Sequence, residues 1–213
     1  MAFRGWPAEA LEFLEGLEAD NSRSYWQANK STYELTVKAP MDALLAELEP
    51  EFGKAKVFRP YRDLRFSTDK TPYKTNVGAS LASGGYVELS ANGLAAGCGY
   101  WHMAADQLAR FRASVADDRT GKALADMLAE LSAMGIEAIS RSELKTAPNG
   151  YLKDHPRIAL LRRKGLATWQ LWPVAPWLGT AKAKDRLVPF LRASSPVHDW
   201  LDRHVGPSTP SET

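Results

Sequence analysis

Apolar residues recur along this chain in two rhythms, and the change from one to the other marks out its elements. Ala10, Phe13, Leu14 and Leu17 stand three and four apart behind Trp6-Pro7, with Glu9, Glu12, Glu15 and Glu18 between them. That spacing predicts an amphipathic packing helix whose first turn accepts the proline. Asp20-Asn21-Ser22 offers a stop and a new N-cap. Beyond it, Trp26, Tyr33, Val37, Leu44, Leu45 and Leu48 trace an apolar stripe to Phe52. Pro40 interrupts the stripe and must kink or split the helix, since an interior proline removes a backbone donor at a cost of about 3 kcal/mol. Trp26 and Tyr33 read as core, with the floor of a ligand pocket as the alternative.

After Gly53 the period shortens to two. If residues 61–67 are extended, Arg62 shares a face with Leu64 and Phe66, while Tyr61, Asp63, Arg65 and Ser67 share the other. An arginine on the apolar side needs a carboxylate partner or a place at the rim of the core. Residues 67–72 read as a turn in which Asp69 accepts from nearby backbone N–H groups and Pro72 keeps Thr71 extended. Val77, Ala79 and Leu81 alternate, Ser83-Gly84-Gly85 breaks the pattern, and residues 86–91 alternate again before Asn92-Gly93, a strong hairpin signal. With Asn92-Gly93 as a two-residue loop, Ala91 faces Leu94, Leu89 faces Ala96 and Val87 faces Cys98 on a helix-covered side, and Glu88 and Tyr86 face Gly97 and Gly99 on the other. Glycines opposite a carboxylate leave room for a ligand, which makes Glu88 a further candidate beside the plainer possibility of a solvent-facing glutamate.

Helical spacing returns at Leu108, Phe111 and Val115, and at Leu124, Met127, Leu128, Leu131 and Met134, closed by Gly135. Residues 136–152 are irregular or a short strand. Asp154-His155-Pro156 opens a helix carrying Ile158, Leu160 and Leu161; residues 166–174 form a strand; two short helices lie around 187–191 and 197–205. The predicted fold class is α+β: a single compact domain over residues 1–205, a central antiparallel β-meander packed against several helices, with a disordered tail at 206–213.

Composition adds limits. The 213 residues, 45% hydrophobic and 24% charged, contain no apolar run long enough to span a bilayer. The acidic N-terminal segment lacks the order of a secretory signal, so a cytoplasmic protein without a membrane partner is expected. Cys98 is the single cysteine and sits in an apolar run, which suits a small buried hydrophobe and excludes an internal disulfide.

Charge changes the picture more. The whole chain carries +2, yet residues 59–75 hold five cations against two carboxylates, and residues 141–164 hold seven against two. The remainder carries −6. Two basic blocks on an otherwise acidic chain suggest convergence on one surface, with a separate solvated face on each as the alternative. In the first block, Arg62, Arg65, Ser67, Lys70, Tyr73 and Lys74 are candidate ligand-binding residues, and Asp63 and Asp69 are candidate proton-transfer groups. In the second, Lys145 and Tyr151 are candidate binding residues. His155 beside Asp154 is a candidate acid or base, though helix capping suits Asp-His-Pro better.

The run from Arg62 to Thr75, RDLRFSTDKTPYKT, followed by Leu144-Lys145, Pro148, Gly150-Tyr151, Asp154-His155-Pro156 and Leu160-Leu161, resembles the family catalogued as domain of unknown function 2461. The Phe13-Leu14 helix and the segment from Asn29-Lys30 to Tyr33 are similar to it as well, so the resemblance covers roughly residues 3–205. This sequence-defined, mainly bacterial group brings no activity, substrate or cofactor with it. The resemblance implies one compact α+β domain with both basic blocks in one module.

No phosphate-binding G-x-x-x-x-G-K-[ST] loop, no G-x-S-x-G elbow and no H-E-x-x-H is present. The four histidines, His102, His155, His198 and His204, show no metal-ligand spacing with acids. No cofactor and no oligomeric state is indicated, and whether the protein is an enzyme stays open. The favoured expectation is a pocket for a small anionic or phosphorylated ligand. The alternatives are a nucleic-acid surface, with Tyr61, Tyr73 and Tyr151 stacking on bases, and a structural salt-bridge network through Arg62, Asp63, Arg65 and Asp69.

Overall fold

The computed structural model describes residues 2–65 and 68–209; Phe66, Ser67 and residues 210–213 of the predicted tail lie outside the described residues. The elements run α1 (Ala8–Ala19), α2 (Arg23–Thr32), a π-helical turn (Tyr33–Lys38), α3 (Ala39–Phe52), β1 (Ala55–Val57), β2 (Asn76–Leu81), β3 (Gly85–Ser90) and β4 (Gly93–Tyr100). They continue with α4 (Ala105–Ala116), α5 (Asp118–Ala133), β5 (Glu137–Ile139), α6 (Ile158–Leu161), β6 (Leu166–Pro173), a 3-10 turn (Pro176–Gly179) and α7 (Lys182–His204). The strands form one open antiparallel sheet in the order β1-β2-β3-β4-β6-β5, so the fold is α+β with a meander at its centre. Two compact units make up the chain: Met1–Ala96 with Leu171–Pro189, and Gly97–Gln170 with Phe190–Thr213.

In the first unit the predicted stripe of α1 is the buried one, Ala10, Phe13, Leu14 and Leu17. Ser22 caps α2, its Oγ accepting the Tyr25 N–H at 3.1 Å. Helical dihedrals continue from α2 through the π turn into α3, and Pro40 stands in the first turn of α3, directly after the run changes register, with the Ala39 N–H reaching back to the Glu34 carbonyl. β2 pairs with β1 through Ala55↔Leu81 and Val57↔Ala79, and with β3 through Val77↔Leu89, Gly78↔Glu88 and Ala79↔Val87. Along β3, Val87 and Leu89 are buried while Tyr86 and Glu88 are half-exposed, as the alternation requires.

Two local expectations shift. The loop between β3 and β4 consists of Ala91 and Asn92, with Gly93 already in β4. A type I′ turn centred on Asn92-Gly93 needs positive φ at both residues, and among the described residues no non-glycine has one; Gly93 alone turns, at φ 124°. Of the extended run expected at 61–67, the described residues 61–65 form no regular strand: Tyr61 makes a single bridge to Tyr73.

In the second unit Asp117 caps α5, accepting from the N–H groups of Arg119 and Thr120, and Gly135 at φ 78° follows its end. β5 pairs with β6 through Glu137↔Trp169 and Ile139↔Ala167. The space beside Gly97 and Gly99 belongs to β6, since added Cβ atoms would lie 3.0 Å from the Trp169 ring and 2.6 Å from the Leu166 carbonyl. Cys98 is buried, and desolvation pushes its thiol up to about 12. From the predicted tail, Gly206 accepts from Gln107 and Ser208 donates to Asp106, both on α4.

The two short C-terminal helices expected from the sequence are one helix, α7, which contains Pro189 and Pro196. Leu187, Leu191, Val197 and Leu201 are buried along it; packing that continuous stripe outweighs the local cost of the prolines. Among the described residues no helix is long and apolar enough to cross a membrane.

Candidate functional site

Between β1 and β2 the first basic block leaves the sheet as a hairpin-like arm. Its limbs pair through Arg62 N–H to the Pro72 carbonyl (2.9 Å) and Lys74 N–H to the Pro60 carbonyl (2.7 Å). Pro60 and Pro72 serve as acceptors only, so neither proline costs the arm a hydrogen bond. Tyr73 anchors it. The ring is 3% exposed and stacks on Trp26 at 4.5 Å with an interplanar angle of 11°. Asn21 accepts the Tyr73 N–H (2.9 Å) and donates to its carbonyl (3.2 Å). Tyr73 thus faces inward, and Trp26 and Tyr33 are core, as their stripe implied.

The turn of the arm is ordered by its own acids. Asp69 Oδ1 accepts the Thr71 N–H and hydroxyl at 2.9 and 2.8 Å, and Oδ2 accepts from Arg62 Nη1 at 2.5 Å. Arg62, whose side chain is 35% exposed, therefore has its carboxylate partner at a rim. The Thr71 hydrogen bonds, with Arg62 behind them, hold the Asp69 carboxyl below the usual range. Asp63 binds Arg65 through both oxygens, which lowers its carboxyl as well. Lys70 Nζ donates to the Leu64 carbonyl at 3.1 Å. Asp63, Arg65 and Lys70 are exposed and belong to the outer part of the arm. Ser67 lies outside the described residues.

Beside the inner part of the arm opens a cavity of about 330 Å³. Arg62, Lys74 and Thr75 line it from the arm, Asn76 and Gly78 from β2, Tyr86 from β3 and Phe58 from the end of β1. The Phe58 and Tyr86 rings stack at 6.2 Å and 29°. Lys74 Nζ sits 5.2 Å from the Phe58 centroid, a cation–π distance. Burial, with Arg59 adding, lowers the Lys74 ammonium below its ordinary value. No carboxylate pairs with Lys74 among the described residues. Tyr86 lies over the bare backbone of Gly78, where a Cβ would come within 2.4 Å of the phenol oxygen, and donates to Glu88 at 2.5 Å. Burial and then Glu88 push that phenol up, so it stays protonated.

The second block does different work in its own unit. Arg157, 11% exposed at its side chain, donates to the carbonyls of Val115 and Ala116 and to Asp118, tying the junction of α4 and α5. Arg162 donates to the Leu144 carbonyl at 2.6 Å, and Arg163 faces Glu143 at 3.4 Å, its charge disfavoured by burial. His155 Nδ1 accepts the Arg157 N–H at 3.0 Å, which orders the turn leading into α6; no side chain caps that helix, which begins at Ile158 rather than at Pro156. Tyr151 is half-buried in a turn closed by its N–H to the Pro148 carbonyl, and Lys145 is exposed. Among the described residues no cluster of histidine, cysteine and carboxylate side chains could hold a metal ion.

Residues 9–200 match the family model described as conserved hypothetical protein, domain of unknown function 2461. The chain belongs to that family. No curated protein and no solved structure matches it. Both basic blocks fall within the matched span, the cavity-lining Arg62 and Lys74 in the first unit and the junction-tying Arg157 in the second. Phe58, Asn76, Gly78 and Tyr86 were not among the residues expected at the site. A glycine at position 78 inside an alternating strand was the available signal for a close approach there.

Proposed function

We propose that this member of the family binds a small anion, a phosphate or carboxylate group on a compact ligand, in the cavity between Arg62 and Lys74. The observation that carries this reading is Lys74, a half-buried ammonium in the cavity wall with no carboxylate among the described residues to neutralise it. Such a charge is unfavourable unless an anion meets it, and a charge-assisted hydrogen bond contributes roughly 1.5–3 kcal/mol. A cavity of about 330 Å³ is at the lower end of small-molecule sites, which commonly run about 300–1,000 Å³. The Phe58–Tyr86 wall gives the non-ionic part of the ligand a flat apolar surface. Asp63 and Asp69 are ionised and hydrogen-bonded to the arm, an arrangement that orients arginines more readily than it moves protons. We therefore favour binding over catalysis. A cytoplasmic location suits a ligand of this kind, and cell fractionation tests it.

Thermal melts with and without inorganic phosphate test the reading. At a hundredfold excess over Kd, a bound anion adds about 2.7 kcal/mol of stability. Lys74→Gln is expected to melt near the parent without phosphate and to lose the phosphate-dependent rise, while Arg65→Ala keeps it. A parent protein whose melting temperature never responds to phosphate or to small carboxylates sinks the proposal.

A further inference from the structure

A second cavity, of about 480 Å³, lies wholly within the second unit between one face of α5 and one face of α7. From α5 come Arg119, Thr120, Ala123 and Met127, spaced along one side of the helix; α7 supplies Pro196, Asp199, Trp200, Arg203 and His204. Trp200 is 6% exposed, and its indole N–H is engaged by the Thr120 carbonyl at 3.1 Å, which braces the two helices and leaves the ring as an apolar wall. Ala123, Met127 and Pro196 extend that wall.

Cations outnumber carboxylates around it. Arg119 stands in the first turn of α5, where a cation opposes the helix dipole. Its neighbouring acids have other partners: Asp117 caps α5 through the Arg119 and Thr120 N–H groups and feels the Arg119 charge without forming an ion pair with it, and Asp118 meets Arg157 at 2.9 Å. On α7 the neighbour of Arg203, Asp202, accepts from the Tyr100 hydroxyl at 2.6 Å and faces His198. Among the described residues neither Arg119 nor Arg203 forms an ion pair, and Asp199 is the one carboxylate lining the cavity. An apolar wall edged by two guanidinium groups, one placed against its helix dipole, with the single carboxylate Asp199 one turn of α7 before Arg203, is complementary to an acid group carried on an apolar body.

We propose that this cavity binds a small amphipathic carboxylate, its chain or ring against Trp200, Met127 and Pro196 and its acid group between Arg119 and Arg203. The site is separate from the anion cavity of the first unit and stands without it. The test uses the full chain with indole nitrogens labelled, the Trp200 resonance being assigned through Trp200→Phe, and titrates octanoate, 1-octanol and acetate. Octanoate is expected to shift the Trp200 indole N–H saturably, with octanol and acetate each weaker by about tenfold, the value of one charge-assisted hydrogen bond or an equivalent apolar contact. Arg119→Gln with Arg203→Gln should weaken octanoate by about the same factor and leave octanol unchanged. Octanol binding as tightly as octanoate, octanoate moving other indoles but not that of Trp200, or the double variant matching the parent would each overturn the proposal.

Discussion

Lys74 concentrates the chemistry of the first cavity in one proton. Burial and Arg59 hold its ammonium below the ordinary 10.5, so between the depressed value and 10.5 the unfolded chain binds the proton more tightly than the folded one. In that window stability rises with pH, and Lys74→Met should flatten the rise in denaturant titrations taken across it. A bound anion favours the charged form and reverses the shift, so phosphate binding is expected to take up protons there and to weaken as pH increases. Calorimetry in two buffers of different ionisation enthalpy measures the uptake, and none at all would remove Lys74 from the contact. Arg62 and Arg65 separate by their surroundings. Arg62 holds Asp69 and Thr71 together at the cavity rim, so Arg62→Ala should loosen the arm and lower the melting temperature. Arg65 is exposed on the outer part of the arm, where it pairs with Asp63, and its loss is expected to lower the melting temperature less than that of Arg62.

The arm is the element that matters, and its position depends on residues far from it in sequence. Asn21 reproduces a strand's pair of hydrogen bonds against Tyr73, and Asn21→Ala is expected to cost about 1–3 kcal/mol by leaving those backbone groups unpaired. Tyr73→Ala removes a buried aromatic from the Trp26 stack and should cost about 3–5 kcal/mol. Urea denaturation gives both values. Phosphate affinity should fall with them, because a displaced arm carries Arg62 and Lys74 away from the cavity; unchanged affinity in a destabilised Asn21→Ala protein would separate the arm's docking from the site. Gly78→Ala tests the opposite wall, since the new methyl group must push the Tyr86 phenol from its place and should lose phosphate binding with β2 and β3 still paired.

At the scale of the whole molecule, the two basic blocks looked alike as strings of charge and differ in use. Arg157, Arg162 and Arg163 of the second block face backbone carbonyls and Glu143, so Arg157→Met should destabilise by about 2–3 kcal/mol, while Lys145→Ala should change neither stability nor phosphate binding. With a net charge of +2 and Tyr73 buried under Trp26, oligonucleotide binding at physiological salt is expected to be absent. A log–log salt slope of about −0.7 per contacted phosphate on single strands would show otherwise. The sequence by itself determined the α+β class, the stripe of α1, the Ser22 cap, the Asp69 turn and the alternation of β3, because each depends on residues a few positions apart and on the periods of helix and strand. It misplaced the turn at Gly93 by one residue and read α7 as two short helices around 187–191 and 197–205, where φ at one residue and a long buried stripe outweigh local preference. Only the tertiary structure decided which cations meet carboxylates or carbonyls and which are left in a cavity wall. Among the described residues Lys74 has no carboxylate partner because the folding of the arm directs Asp69 to Arg62 and Asp63 to Arg65, and no spacing along the chain encodes that partition.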